Sequence, residues 1–390
     1  MKRGFLGGTF NPPHLGHVRA AAAAAKELGL ESLLVIPAGI PPHKELPAGG
    51  ADGLQRLEMT RLAFAGIPGL EVLDWELRRA GKSYTADTVE RLLSEDPEGE
   101  LWILCGTDMF ETLPDWHRGD WLMRTLHVAA YPRKAGEEGK IDALGEEYRR
   151  KYGTVIRRIG VEALEVSSTE LRGLLREGKG ADFLPKEAYR YILKYRLYGA
   201  RPEPDALWEL AKPWYKKSRI PHVLGCREAA VALAKRWGAD VLDAENAAIL
   251  HDITKKMPIE EQLQYCEKRG NINFSYHPEY EATLHAFSGA AAAALEFGAS
   301  PEVESAIRWH TTGKADMSLL EKILWLADYI EPGRTTPGVE EIRRLAEIDL
   351  DDALRKALKN SLSYLEKRNA APHPATREAL AFLCRGEGSK

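Results

Sequence analysis

The apolar positions change rhythm once along the chain. In the first half they come as short continuous runs: GFLGG, LLVIPAG, LEVLDWEL, LWILCG and HVAAYP. The Ala-rich stretch 18–28 and the stretch 85–93 lie between such runs and carry helical period. A short apolar run without alternation suits a strand buried on both faces. Strands that alternate with helices predict a parallel sheet covered on both sides. From about Asp205 the strand patterns stop. REAAVALAKRW, AENAAILHDITKK, the Ala-rich segment 288–297 and LLEKILWLADYI all follow the helical period, which predicts an all-α second half. Between the halves, YGARPEPDA carries two prolines and mixed charge, a composition that suits a linker. The expected organisation is an α/β domain over 1–199, a linker over 200–206 and a helical domain over 207–390, with no internal repeat.

Length agrees with this division, since 390 residues exceed one ordinary hydrophobic core. A formal net charge of −4 gives no footprint for DNA or RNA and leaves room for small anionic substrates in a local basic pocket. Cys105, Cys226, Cys266 and Cys384 are scattered and form no C-x-x-C pair, so reduced thiols are expected. The opening MKRGFLGGTFNPPH is broken too early by Gly, Asn and Pro for a signal peptide. No window approaches 18 apolar residues, so no membrane partner is expected and the location read from the sequence is cytoplasmic.

The most informative stretch is Gly7-Gly8-Thr9-Phe10-Asn11-Pro12-Pro13-His14-Leu15-Gly16-His17. A strand ends in glycines, which let backbone N–H groups approach a ligand. Two histidines then open a helix whose N-terminus favours anions. Imidazoles there can donate hydrogen bonds to phosphate oxygens. The bland alternative, a tight turn with two solvent histidines, does not account for H-x-G-H following the glycines.

At this point the chain resembles the nucleotidylyltransferase superfamily, and within it the bacterial nicotinate mononucleotide adenylyltransferases, over roughly the first 199 residues. Pro41-Pro42-His43-Lys44 is similar to the family's P-P-H-K loop, and Gly81-Lys82-Ser83-Tyr84-Thr85-Ala86-Asp87-Thr88 to its G-x-S-Y-T-x-D-T segment. Gly106-Thr107-Asp108 with Trp116, and Val166-Ser167-Ser168-Thr169-Glu170-Leu171-Arg172, complete five ordered matches. The resemblance implies a Rossmann-like domain in which the phosphate of nicotinate mononucleotide attacks the α-phosphorus of ATP and pyrophosphate leaves. It implies Mg2+ travelling with ATP, and catalytic roles for His14, His17 and Lys44. ATP would meet Gly8, Thr9, Phe10, Gly106, Asp108, Ser168, Thr169 and Arg172. Nicotinate mononucleotide would meet Lys44, Thr85, Trp116 and Arg133. Ser167 with Glu170 also fits a capping box, which needs no ligand, and Trp116 fits plain packing. The chain departs from the family at Thr107, where alanine is usual, and at Tyr131-Pro132-Arg133, where an arginine commonly precedes the proline.

The helical half holds His222, His251, His277, His285, His310 and His373. His251-Asp252 ends an apolar helical run. Neighbouring residues point about 100° apart around a helix, so such a pair reaches one centre only at the helix edge. Asp328 stands inside LWLADYI, where a carboxylate is costly unless it is paired or binds metal. Capping and core histidines are the alternative. The ordered set resembles the HD-domain phosphohydrolases, and residues 205–385 resemble the YqeK family of symmetrical diadenosine tetraphosphate hydrolases. The matching stretches are Arg219-x-x-His222, His251-Asp252-x-x-Lys255, His310-Thr311-Thr312-Gly313 and Ala327-Asp328-Tyr329-Ile330-Glu331-Pro332-Gly333-Arg334. The resemblance implies two divalent transition metals, iron before manganese or zinc. His222, His251, Asp252 and Asp328 would hold one, and His285 and His310 the other, with Asp252 bridging. Lys255 and Arg334 would contact phosphate and Glu331 would orient the nucleotide. Ala286 follows His285 where the family usually has glycine. His277 and His373 read as loop residues.

The sequence thus predicts a bifunctional enzyme that makes nicotinate adenine dinucleotide and splits diadenosine tetraphosphate into two ADP. For the second half, a broader HD nucleotidase or phosphodiesterase and a non-catalytic nucleotide-binding regulatory module remain open alternatives. Homo-oligomerisation is left open. The fusion suggests shared regulation or by-product removal rather than channelling.

Overall fold

In the computed structural model, which describes residues 1–41, 50–270 and 278–385, the apolar runs of the first half pair as one parallel sheet. Its strands are β1 (Lys2–Gly8), β2 (Ser32–Pro37), β3 (Leu70–Val72), β4 (Glu100–Gly106), β5 (His127–Tyr131) and β6 (Ile156–Arg158). They lie in the order β3-β2-β1-β4-β5-β6. Successive side chains of a strand point to opposite faces, and the burial follows that alternation. Phe5, Leu34, Ile36, Ile103, Cys105 and Val128 fill the core on one face. Leu6, Leu33, Val35, Trp102, Leu104 and Ala129 fill a second core. Continuous apolar runs were therefore needed because both faces are covered.

The helix Leu15–Leu28 buries Ala20, Ala21, Ala24 and Leu28, a stripe at helical spacing. It stops at Gly29, whose φ of 62° is left-handed and is carried without strain by a residue lacking Cβ. The strand order reverses between β1 and β4, and such a switch point opens a crevice at the carboxyl ends of the strands. Gly8 and Gly106 stand at those two ends.

Two elements differ from the sequence reading. The run LEVLDWEL is a strand only as far as Val72, with Leu73 N–H giving a further bond to Val35 O at 2.9 Å. Trp75–Arg78 then forms a helical turn, in which Trp75 takes the Arg91 guanidinium 3.6 Å from its ring centroid. Glu76 is buried and accepts from Thr88 Oγ1 at 2.8 Å. Strand β6 was not anticipated, since Ile156-Arg157-Arg158 has no apolar run; it exists because β5 offers it a parallel partner.

The chain divides into two compact units: Met1–Ile192 with Leu197–Ala200, and Leu193–Arg196 with Arg201–Lys390. The helix Pro204–Ala211 begins inside the expected linker, with a proline in its first turn where no N–H is needed. Within the second unit, Ile220–Trp237 buries Val223, Cys226, Ala230 and Leu233 on one stripe. Val241–Leu250 and Leu284–Phe297 are covered on nearly all sides, their many alanines letting neighbouring helices approach closely. Among the described residues no helix is long and apolar enough to cross a membrane.

One buried cation fixes the loop after β1. Arg56 is 1% exposed. Its Nη1 donates to Thr9 O at 2.8 Å and Ala38 O at 2.7 Å, and its Nη2 to Gly39 O at 3.3 Å. Arg56→Met keeps the apolar stem and strands these carbonyls. We expect a loss of about 2–4 kcal/mol, read as a lower urea midpoint at unchanged m-value. An unchanged midpoint would show that the carbonyls find other donors.

Candidate active sites

At the carboxyl ends of β1 and β4 lies a cavity of about 520 Å³. Gly8, Thr9, Phe10 and His17 line it after β1, Asp108 and Met109 after β4, Arg133 after β5, and Ser168 and Thr169 also line it. The loop carbonyls are already occupied. Gly8 O accepts from Ala38 N, Thr9 O from Arg56, Asn11 O from Arg172 Nη1 at 2.7 Å and Pro12 O from Ser168 Oγ at 2.9 Å. Oxygens that would repel a phosphate are thus satisfied from within the protein. Tyr198 adds a bond from its hydroxyl to Asn11 Oδ1 at 2.7 Å.

His14 caps the helix and is 1% exposed; its ring lies 3.8 Å from that of His17 between centroids. The glycine of H-x-G-H suits this spot, because a Cβ at Gly16 would stand 3.0 Å from His14 Nδ1 and press on that ring. The backbone N–H of His14 donates to His17 Nδ1 at 3.2 Å. That nitrogen must therefore be the acceptor, and the hydrogen of neutral His17 sits on Nε2. Burial, reinforced by the Arg133 charge, lowers His14 to about 3. Burial, His14 and Arg133 hold His17 well below the usual range. Both ring nitrogens of His14 are without a hydrogen-bond partner among the described residues. Of these two neutral imidazoles His17 lines the cavity, whereas His14, with its nitrogens unsatisfied, is buried and is not among the lining residues.

Arg133 approaches over Gly106, where a Cβ would fall 2.7 Å from its Cδ and 3.0 Å from Asp108 Oδ1. Thr107, the departure from alanine, donates through Oγ1 to Tyr131 O at 3.2 Å and ties the ends of β4 and β5 together. Thr85 and Trp116 line the same cavity, with Trp116 Nε1 held by Thr112 Oγ1 at 3.2 Å. The Ser167–Glu170 capping box is formed, at 3.1 and 2.8 Å. Arg172 is not in the cavity lining; its guanidinium is committed to Asn11 O, Ser168 O and Thr169 Oγ1. Lys44 lies outside the described residues.

In the second unit four imidazoles converge on two carboxylates. Asp252 Oδ1 lies 3.1 Å from His285 Nε2 and 3.6 Å from His310 Nε2. Its Oδ2 lies 3.4 Å from His251 Nε2 and 3.8 Å from His222 Nε2. Asp328 Oδ1 lies 3.1 Å from His222 Nε2. Among the described residues, His222, His251 and Asp328 form one triad able to hold a metal ion, and His251, Asp252 and His310 another. His251 and His310 follow the last residues of their helices. Each ring Nδ1–H turns back to a carbonyl three residues earlier, Ala248 O at 2.8 Å and Ile307 O at 2.7 Å. One bond satisfies an orphan carbonyl of the helix end and leaves the Nε2 lone pair facing the cluster. The buried Nε2 atoms of His285 and His310 make no well-aligned hydrogen bond. Burial lowers His285 to about 4, which keeps its ring neutral and able to ligate. Burial works to raise Asp252, but the charge interaction with His251 at its side holds it well below the usual carboxylate range. This donor set fits a divalent cation of the imidazole–carboxylate type.

Two neighbours take roles the sequence did not show. Arg219 Nε donates to Asp252 Oδ2 at 2.6 Å, and its Nη2 lies 2.8 Å from His222 Nε2. Glu331, expected on the nucleotide, is instead buried behind His222, 3.2 Å from its Nδ1, and accepts from Gly333 N–H at 2.6 Å. Its carboxylate is spent on fixing an imidazole. Lys255 Nζ donates to Asp252 Oδ1 at 3.1 Å, and Arg334 Nη2 to Asp328 Oδ1 at 2.6 Å.

Residues 5–174 match the family described as cytidylyltransferase-like, and residues 219–333 match the HD domain. A protein of Listeria monocytogenes serotype 4b, named probable nicotinate-nucleotide adenylyltransferase, is 38% identical over 200 residues, 51% of this chain and 98% of its own length. One of the same name from Pseudomonas syringae pv. tomato is 37% identical over 214 residues, 52% of this chain and 95% of its own. The symmetrical bis(5'-nucleosyl)-tetraphosphatase of Bacillus subtilis is 44% identical over 171 residues, 43% of this chain and 90% of its own. The chain belongs to both families.

Within the adenylyltransferase-family half, sequence reasoning missed Arg56, Glu76 and Tyr198. Arg56 could have been found as a charge inside a helix whose neighbours Leu57, Met59 and Ala63 are core residues. In the tetraphosphatase-family half, Arg219 stood in a recognised motif without a role. HD membership brings divalent-metal binding with it, consistent with the His/Asp groups described above.

The lowered pKa of His14 has a definite sign. Its folded value of about 3 lies below the unfolded 6.5, so its neutral form favours the fold above 6.5. That contribution is lost as pH falls from 6.5 towards 3. Proton NMR of the His14 ring should show no titration between pH 6 and 8. A midpoint near 6.5 would contradict the burial described.

Proposed function

We propose that residues 1–199 transfer the adenylyl group of ATP to nicotinate mononucleotide, and that residues 207–390, joined through 200–206, hydrolyse diadenosine tetraphosphate to two ADP. The first reading is carried by the pair of neutral imidazoles beside a cavity that also presents Asp108, Thr85 and Trp116. A phosphate oxygen of nicotinate mononucleotide attacks the α-phosphorus, the bond to the bridging oxygen breaks, and pyrophosphate leaves with Mg2+ as its counterion. No protein nucleophile is needed, so the residues position and stabilise charge. His17 donates from Nε2 to a phosphate oxygen, and His14 lends its free ring nitrogens. Arg133 and Lys44 supply positive charge. Gly8, Thr9 and Phe10, with Gly106, let the chain approach the nucleotide; Asp108 faces the adenosine, and Ser168 and Thr169 the phosphates. Thr85 and Trp116 hold the pyridine, which suits an indole face. Arg172 acts by holding the Asn11 loop.

The second reading is carried by Asp252, whose two oxygens face two sets of imidazoles. His222, His251, Asp252 and Asp328 would hold one divalent metal, and His285 and His310 would hold a second with Asp252 between them. Iron is the expected metal, with manganese or zinc as alternatives. Bound there, the metals would supply a hydroxide at neutral pH and neutralise phosphate charge. Lys255 and Arg334 add cationic contacts, while Glu331 keeps His222 in its ligating tautomer. A purely regulatory nucleotide module has no use for six such groups, and a broader nucleotidase differs only in substrate.

Two variants separate the activities. His17→Ala should lower dinucleotide synthesis by about 10²–10³-fold and leave tetraphosphate hydrolysis intact. His251→Ala with Asp252→Ala should abolish hydrolysis and lower bound metal in elemental analysis while synthesis persists. Preference for phosphopantetheine over nicotinate mononucleotide would sink the first reading. A purified chain with no metal and no hydrolysis would sink the second.

A second test concerns linkage to metal. Because the ligands must be deprotonated, chelation should lower the melting temperature of the second unit, and added Mn2+ should restore it. An unaltered melting curve would remove the metal from the fold.

A further inference from the structure

Beside the metal cluster the second unit holds a smaller cavity of about 200 Å³. Its lining is of two chemical kinds. His310, Asp328 and Arg334 bring the ionic groups of the cluster to it. Trp325, Tyr329 and the hydroxyls of Thr311, Thr336 and Ser361 make up the rest.

Two of these groups are polar, buried and unpartnered among the described residues. Trp325 is 4% exposed, yet its Nε1–H has no hydrogen-bond partner among the described residues. Indole is a donor only, so the burial is unpaid unless an acceptor arrives from outside. Thr311 Oγ1 is likewise buried and unpartnered, one residue after His310. The Trp325 ring is held rigid by stacking on Tyr329, with 5.5 Å between centroids and 10° between planes. A helix interior that needed only packing would be served by Leu or Phe at this position. The indole places a hydrogen-bond donor where the described residues offer it no acceptor.

We propose that this cavity is the nucleoside subsite of the hydrolase: it takes the purine nucleoside of one half of the substrate and leaves the adjoining phosphates at the His310–Asp328 side. The inference rests on the hydrolase reading of the second unit and adds to it how the substrate is recognised. A polyanion joined to a flat, acceptor-rich heterocycle and a sugar matches both kinds of lining. Size decides how much of it enters. Sites that enclose a whole drug-sized ligand run to about 300–1,000 Å³, so a cavity of about 200 Å³ is too small for both halves of the substrate at once. Recognition is therefore of half the molecule, although the cleavage is symmetrical.

The test uses the full chain loaded with Mn2+ and the variants Trp325→Phe and Thr311→Val; the second is milder should the first disturb packing. Photolabelling with 8-azido-ADP, mapped by peptide mass spectrometry, should place label on the segment 311–336 and lose most of it in both variants. KM for diadenosine tetraphosphate should rise about tenfold at unchanged kcat, the size of one lost hydrogen bond. Cleavage of inorganic tripolyphosphate, which has no nucleoside, and bound metal should not change. Label confined to other segments, an unchanged KM, or equal loss for both substrates would overturn the subsite. If the unsubstituted chain cleaves no tetraphosphate, the hydrolase reading falls, and the labelling alone decides whether the cavity binds a nucleoside.

Discussion

A ring nitrogen of histidine committed to a backbone group leaves the other nitrogen with a fixed role, and both sites depend on this. At His17 the committed group is an N–H, so Nδ1 accepts and Nε2 carries the hydrogen. At His251 and His310 the committed group is a carbonyl, so Nδ1 donates and Nε2 offers its lone pair. The same side chain is thus set as a hydrogen-bond donor in one unit and as a lone-pair donor in the other. Secondary structure decides which: a helix start supplies spare N–H groups and a helix end supplies spare carbonyls. Burial completes the device by keeping His14 and His285 neutral.

Charge is managed differently in the two units. Around the first cavity the chain removes its own acceptors, with Arg56 and Arg172 binding loop carbonyls that would otherwise oppose an anion. In the second unit the carboxylates are retained and balanced, Asp252 by Arg219 and Lys255 and Asp328 by Arg334. The first arrangement suits a guest that brings negative charge, and the second a guest that brings positive charge before a phosphate arrives. Both families to which the chain belongs are named for work on phosphoric anhydrides, and the two electrostatic designs meet that chemistry from opposite sides.

How much of this was legible in the sequence follows from the range of each interaction. The buried strands announced themselves because covering both faces demands uninterrupted apolar residues, as at Leu33–Ile36. Strand β6 did not, because it is specified by its neighbour β5 rather than by its own residues. LEVLDWEL misled because its alternation with Trp75 looks strand-like locally, while the partners of Trp75 and Glu76, Arg91 and Thr88, lie further along the chain. The residues of the His/Asp cluster were legible as an ordered motif, since few chains place so many ligating groups among apolar helices. Glu331 was assigned to the nucleotide, for nothing in its neighbours reveals that His222, 109 positions away, claims its carboxylate. Arg219 and Arg56 are similar: a surface-type residue becomes structural only once the fold closes over it.

The loop after β1 holds a last lesson, about time rather than space. Asn11 is fastened by Arg172 and by Tyr198, 161 and 187 positions later in the chain. Closures of that span are slow to find and come late. On a ribosome, therefore, the glycines and histidines at the start of the chain wait unfinished until residue 198 has emerged, and the loop can be fastened before most of the second unit has been made.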